Sequence, residues 1–153
     1  MGLEGKLEAE VEMKASADRV FKLLAEELNK VPDASPDNIQ GVEVHEGDWA
    51  TAGSVKLWNY IIDGQNEVFK EKVHIDEESK MVSMEAVGGH ILDKYKTYKI
   101  ICEVLPHGGS SSKVKAQVIY EKLNEDDADP DNYLGLITNI IKDIDAHLVG
   151  KQA

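Results

Sequence analysis

The sequence predicts an α+β fold: a seven-stranded antiparallel curved sheet around a long C-terminal helix, with two short helices. Three observations predict it. The opening stretch alternates apolar and polar residues with a period of two and six further short strands with turn signals between them follow, a helical patch after the first strand runs into two prolines, and the C-terminal region repeats apolar residues at helical spacing. A sheet folded over a helix leaves a hollow between the two, and an apolar hollow binds apolar ligands.

The first strand alternates Leu7, Ala9, Val11 and Met13 with Lys6, Glu8, Glu10, Glu12 and Lys14, which gives it one dry face and one wet face. Ser16 stands where a helix N-cap belongs, and Asp18 suits the positive end of the helix dipole. Val20, Phe21, Leu23, Leu24, Leu28 and Val31 follow at roughly helical spacing until Pro32 and Pro36, as one bent helix or two short ones. Residues 39 to 122 read as six further strands. Val42 and Val44 mark the first, residues 55–62 form the next, and Asp63-Gly64 makes a hairpin turn. Phe69, Val73 and Ile75 share a face, as do Val82, Met84 and Ala86 after the polar turn at 76–80. Gly88-Gly89 breaks the pattern. A long strand then carries Tyr98, Ile100, Cys102 and Val104 in one phase, residues 106–112 read as a turn, and Val114, Ala116, Val118 and Tyr120 close the series.

In the tail, Asp129-Pro130 reads as an N-cap followed by proline at the first helical position. Tyr133, Leu136, Ile137, Ile140, Ile141, Ile144 and Leu148 then recur on one face of a helix of about five turns. Asp131, Asn139, Lys142, Asp143 and Asp145 lie largely on the other.

The length of 153 residues suits a single ligand-binding domain, 1–153, large enough for a core without disulfides or metal. Lys plus Arg number 17 against 29 Asp plus Glu, a net charge of −12, which repels a phosphate backbone or an anionic lipid surface. The expected partner is therefore a small hydrophobic ligand, with no nucleic acid and no membrane insertion, and the protein is expected to be a monomer or weak dimer. The opening residues hold no apolar run of a secretory signal, and Lys6 stands where a myristoylation pattern on Gly2 wants Ser or Thr, so the expected address is cytoplasmic. With one cysteine, Cys102, no internal disulfide forms.

Several stretches, in this order and spacing, resemble the plant major latex protein (ripening-related) family. They are Gly2-Leu3-Glu4-Gly5-Lys6-Leu7, His45-Glu46-Gly47-Asp48-Trp49, Gly53-Ser54-Val55, Trp58-Asn59-Tyr60, Ile75-Asp76-Glu77-Glu78, Val87-Gly88-Gly89-His90, Tyr120-Glu121-Lys122-Leu123-Asn124 and 143–148. That family lies within the START-like superfamily of the birch pollen allergen and the class-ten pathogenesis-related proteins. The resemblance runs end to end. It implies the helix-grip fold, with two short helices in a V and a long helix over an internal hydrophobic cavity. It also implies binding of a sterol, flavonoid, hormone or lipid type of ligand and a link to defence or stress. A minority of relatives are enzymes of specialised metabolism.

Strand phase and helix face nominate the ligand-binding residues. From the strands they are Trp58, Tyr60, Phe69, Val82, Met84, Tyr98, Ile100 and Cys102. From the long helix they are Tyr133, Leu136, Ile137 and Ile140. The plainer alternative is that the same residues are packed core with no room for a ligand.

Other chemistry finds little support. The five histidines, His45, His74, His90, His107 and His147, form no ligand pair at metal-binding spacing, so no metal is expected. No Walker loop, Rossmann fingerprint or nucleophile elbow occurs, and no cofactor is expected. The loop at 46–53 keeps only Gly47 and Gly53 and has no lysine of its own, which argues against a phosphate cradle. One catalytic candidate stands out. Glu71 shares the inward phase of Phe69 and Val73, and a buried carboxyl of raised pKa suits general acid–base work, with Lys56 as its inward neighbour. The alternative to a carrier is thus a cofactor-independent isomerase, cyclase or condensing enzyme on the same scaffold.

Overall fold

In the computed structural model, which describes residues 3–150, the elements follow the predicted order. Met1, Gly2 and residues 151–153 lie outside the described residues, and with them the question of a lipid on Gly2. Strand β1 (Glu4–Met13) leads to helix α1 (Ala17–Glu26), a 3-10 turn at Leu28–Lys30 and the short α2 (Val31–Ala34). Strands β2 (Ile39–Glu46), β3 (Val55–Ile62), β4 (Gln65–Asp76) and β5 (Met81–Gly89) follow. After a 3-10 turn at His90–Asp93 come β6 (Tyr95–His107), β7 (Ser111–Lys122) and helix α3 (Asp131–Gly150). The seven strands form one antiparallel sheet in the order β1-β7-β6-β5-β4-β3-β2.

Local chemistry accounts for most boundaries. The Ser16 hydroxyl accepts from the Arg19 amide at 3.4 Å and starts α1. Pro32 does not end a helix as its position suggested. It sits in the first turn of α2, where a missing N–H is no loss, and only Pro36 lies beyond the helical region. Asp63 and Gly64 both take positive φ, 51° and 76°, the geometry of a tight hairpin between β3 and β4. Gly89 also has a positive φ, 99°, and a Cβ there would strike the Val68 carbonyl oxygen.

Two further expectations are corrected. The turn expected over 106–112 shrinks, because Pro106 pairs with Ser112 and His107 with Ser111. The pairing of β5 with β6 stops at Glu103, so Pro106 interrupts no central ladder. Asp129 does not act as the N-cap of α3. Its carboxylate accepts from Tyr120 Oη at 2.9 Å and pairs with Lys122 Nζ at 2.9 Å, while the Pro130 carbonyl accepts from the Leu134 amide.

Helix α3 lies over β1 and β7, against α1 and α2, and touches β3 only lightly. The inner face of the sheet is continuous core along Val104, Val114, Ala116 and Val118, all 0–1% exposed. Across β3 to β6 the roof is thinner, and the cavity opens there. Among the described residues, no helix is long and apolar enough to cross a membrane.

Candidate functional site

A cavity of about 120 Å³ lies between the strand wall of β3–β6 and the apolar face of α3. No residue of β1 or β7 reaches it, since α3 packs directly on those two strands. Eleven of the twelve nominated residues line it: Trp58, Tyr60, Phe69, Met84, Tyr98, Ile100 and Cys102 from the sheet, and Tyr133, Leu136, Ile137 and Ile140 from α3. Val82 is the exception. It is fully buried, but it sits at the start of β5, where α1 covers the sheet and nearby Lys80 meets Asp18 at 3.1 Å. Strand phase gave its face correctly; it does not say which helix roofs that stretch of the face.

The cavity also takes in residues that the sequence reading placed elsewhere or passed over. Leu24, Leu28 and Val31 close one side, read only as the buried stripe of the first helical region. Ile39, Ile91, Ile141 and Ile144 complete the lining. Of all these residues only Leu136, Ile137 and Ile140 are half-exposed, so the cavity reaches solvent along that edge of α3.

Aromatic rings organise the wall. Phe69 and Tyr98 meet edge to face at 5.9 Å, and Tyr98 meets Tyr133 across the cavity at 6.2 Å, in the preferred geometry for ring pairs. Tyr60 and Tyr133 both donate their hydroxyls to Glu67 Oε1, at 2.9 and 2.8 Å. This bridge ties β3, β4 and α3 together beside the mouth. Burial and the negative charge of Glu67 push both phenols well above their usual range, so both remain donors.

Glu71 is 1% exposed and lies in the cavity wall. Burial raises its pKa to about 8, against the opposing pull of the Lys56 ammonium and the Trp58 indole, so at neutral pH the group is largely a neutral acid. Lys56 is its direct cross-strand partner and is equally buried, as its strand phase predicted. The two form no close ion pair. The Lys56 ammonium turns instead toward the loop at 46–53, donating to Ser54 Oγ at 2.6 Å and to the Asp48 carbonyl at 3.4 Å, with the Trp49 ring 5.8 Å away. That loop therefore does receive a lysine, from the adjoining strand. Desolvation lowers the pKa of Lys56.

Cys102 is buried, and desolvation raises its thiol to about 12, which keeps it protonated and unreactive as a nucleophile. His90 stands outside the cavity: its Nδ1 accepts from the Val68 amide at 3.0 Å, and its ring borders a separate polar surface depression with Asn59, Asn66 and Glu67. Among the described residues no group of acidic, histidine or cysteine side chains is arranged to hold a metal ion.

Residues 2–151 match the family model of the pathogenesis-related protein Bet v 1 family. The chain is 40% identical over 148 residues to MLP-like protein 34 of Arabidopsis thaliana, across 95% of this chain and 47% of that protein. It thus spans about half the length of that relative. MLP-like protein 328 of the same plant is 35% identical over 149 residues, 97% of this chain and 99% of its own length. Among solved structures, ginseng major latex-like protein 151 from Panax ginseng is 38% identical with a TM-score of 0.91, covering 95% of this chain and 98% of that one.

Proposed function

The chain belongs to the pathogenesis-related protein Bet v 1 family, on its major latex protein branch, and from that premise we propose that it binds and carries a small hydrophobic or amphipathic ligand. One observation carries this reading: an almost wholly apolar cavity of about 120 Å³ sits under a helix edge that the core leaves half-exposed. Filling it removes apolar surface from water, worth about 25 cal/mol per Å². Of the ligand types that the resemblance implies, the small end fits this shape, since an apolar cavity of about 150 Å³ holds one benzene ring. A sterol or flavonoid needs the mouth along Leu136, Ile137 and Ile140 to move outward. The tie to defence or stress rests on the family's description alone.

The test is native mass spectrometry of the purified protein, followed by denaturing extraction of whatever travels with it. A discrete small molecule at one-to-one stoichiometry is the expected result. An apo mass that stays unchanged on adding sterols, flavonoids, fatty acids and ring-sized hydrophobes overturns the carrier reading.

A second reading, cofactor-independent catalysis on the same scaffold, is favoured by one observation: Glu71 is an acid buried in the cavity wall, where desolvation raises its pKa. The extracted compound decides between the two. Conversion to a product by the wild type, lost in Glu71→Gln while binding persists, assigns an enzyme; recovery of the unchanged compound leaves a carrier.

A further inference from the structure

Three buried side-chain polar atoms among the described residues have no hydrogen-bond partner: Arg19 Nη1, Trp58 Nε1 and Glu71 Oε2. Folded proteins rarely leave such groups unpaired, because each costs its full desolvation. Arg19 belongs to the fastening of α3, where its Nη2 donates to the Leu148 carbonyl at 2.8 Å. The other two sit together. Trp58 lies opposite Phe69 and Lys56 opposite Glu71, so Trp58 and Glu71 are diagonal neighbours on β3 and β4, and the indole faces the carboxyl closely enough to pull its pKa down without making a hydrogen bond of good geometry. Both line the cavity, and both are buried, at 8% and 1% exposure. Three nearby polar groups that could satisfy them are engaged elsewhere. Lys56 points its ammonium at Ser54 and the Asp48 carbonyl, and the cavity's tyrosine hydroxyls at positions 60 and 133 are committed to Glu67.

Building on the carrier reading above, we propose that Trp58 and Glu71 together recognise one hydroxyl group, and that the ligand is a compact phenol or alcohol about one ring in size. The indole N–H only donates, so the ligand atom that meets it must accept. A carboxyl group accepts in either protonation state and donates only when neutral. A hydroxyl oxygen satisfies both at once, accepting from the indole and donating to the carboxyl whether or not that carboxyl is ionised. A carbonyl oxygen only accepts and loses its second bond when the carboxyl ionises, and an ammonium group has no lone pair for the indole. The remaining wall is apolar and aromatic, which suits a ring, and the free space of about 120 Å³ suits one ring and not several.

Phenol and toluene are nearly the same shape and differ in the one group that matters. A cavity without a partner for the hydroxyl ranks toluene above phenol, because burying an unpaired hydroxyl costs free energy. The inference predicts the reverse order. By isothermal titration calorimetry on the wild-type protein, phenol binds at least about tenfold more tightly than toluene, the worth of one good buried hydrogen bond. In an amide and indole nitrogen–proton spectrum, phenol and not toluene moves the side-chain signal of Trp58, one of two tryptophans in the chain. Trp58→Phe and Glu71→Leu each lower the ratio of phenol to toluene affinity toward one. Equal affinities, or toluene binding more tightly, overturn the hydroxyl assignment while leaving the carrier reading intact. Failure of both ligands to bind overturns the hydroxyl assignment and the ring-sized ligand together, and leaves the carrier reading to the broader mass-spectrometric screen. The wild-type comparison decides the matter even if a variant does not fold.

Discussion

Along α3, Tyr133 to Ile140 and Ile141 to Leu148 continue one helical spacing of apolar residues, yet the protein treats the two halves differently. In the second half Ile141, Ile144 and Leu148 are 2–7% exposed. Its acidic residues are not a solvated face. Asp145 accepts from the Lys14 and Ala15 amides at 2.9–3.0 Å, Asp143 accepts from the Ser35 hydroxyl at 2.7 Å, and Arg19 holds the Leu148 carbonyl. In the first half only Tyr133 is buried, and Leu136, Ile137 and Ile140 line the cavity half-exposed. Two side-chain bonds tether it, Tyr133 to Glu67 and Asn132 to Asp63 at 3.0 Å. The same stripe of isoleucine and leucine thus serves as anchor at one end and as a movable roof at the other. Ile141 and Ile144 border the cavity too, so what sets the difference is the flank: Arg19 of α1 and Ser35 beyond α2 fasten the second half, while the edge of the first half meets solvent.

Truncating one isoleucine in each half gives the widest expected contrast. Ile144→Ala removes a side chain that borders the closed end of the cavity but is only 2% exposed, and costs about 2–5 kcal/mol, a fall in Tm of several degrees or more by thermal denaturation. Ile140→Ala removes one already facing free space and solvent, and costs under about 1 kcal/mol while enlarging the cavity. Equal losses at the two positions break the comparison and turn the roof into ordinary core.

The polar tethers differ by less. Asp145→Ala leaves the Lys14 and Ala15 amides without their acceptor, and Ala15 is 1% exposed, so the cost is about 1–3 kcal/mol. Tyr133→Phe removes one of two donors to Glu67 and leaves the Tyr60 bond, at about 1 kcal/mol or less in chemical denaturation. Its larger consequence is expected in ligand exchange, which quickens as the mouth loses a tether.

Fold and site were legible in the sequence to different depths. Alternation and helical spacing are short-range signals, so they placed all seven strands and α3, and strand phase put Trp58, Tyr60, Phe69, Met84 and Tyr98 on the inner face. Which inner-face residues line a hollow depends on where helices lie across the sheet, a long-range matter. That is why Val82 was nominated and Leu24, Leu28 and Val31 were not. The same limit hid the work of Asp143 and Asp145, which in the sequence look like any polar helix face. Glu71 and Lys56 were both read as inward from phase alone. That their charged ends part company follows from the path of the loop at 46–53, which no local pattern encodes.

The smallest expected effect tests the roof most directly. Gly135 lies in the first half of α3, exposed, and a Cβ built there meets nothing within 4 Å. Glycine in a helix interior costs roughly 0.5–1 kcal/mol relative to alanine, mostly through the backbone freedom that folding removes. Gly135→Ala therefore stabilises by about 0.5–1 kcal/mol, a Tm rise of a few degrees at most. If the first half of α3 is the part that moves to admit a ligand, the substitution also slows association and dissociation together in stopped-flow fluorescence and leaves Kd nearly unchanged. A stabilised protein with unaltered exchange rates places the moving part elsewhere, at α2 or the β3–β4 turn. Slowed exchange ties the half-exposed stripe of Leu136, Ile137 and Ile140 to the passage of ligand.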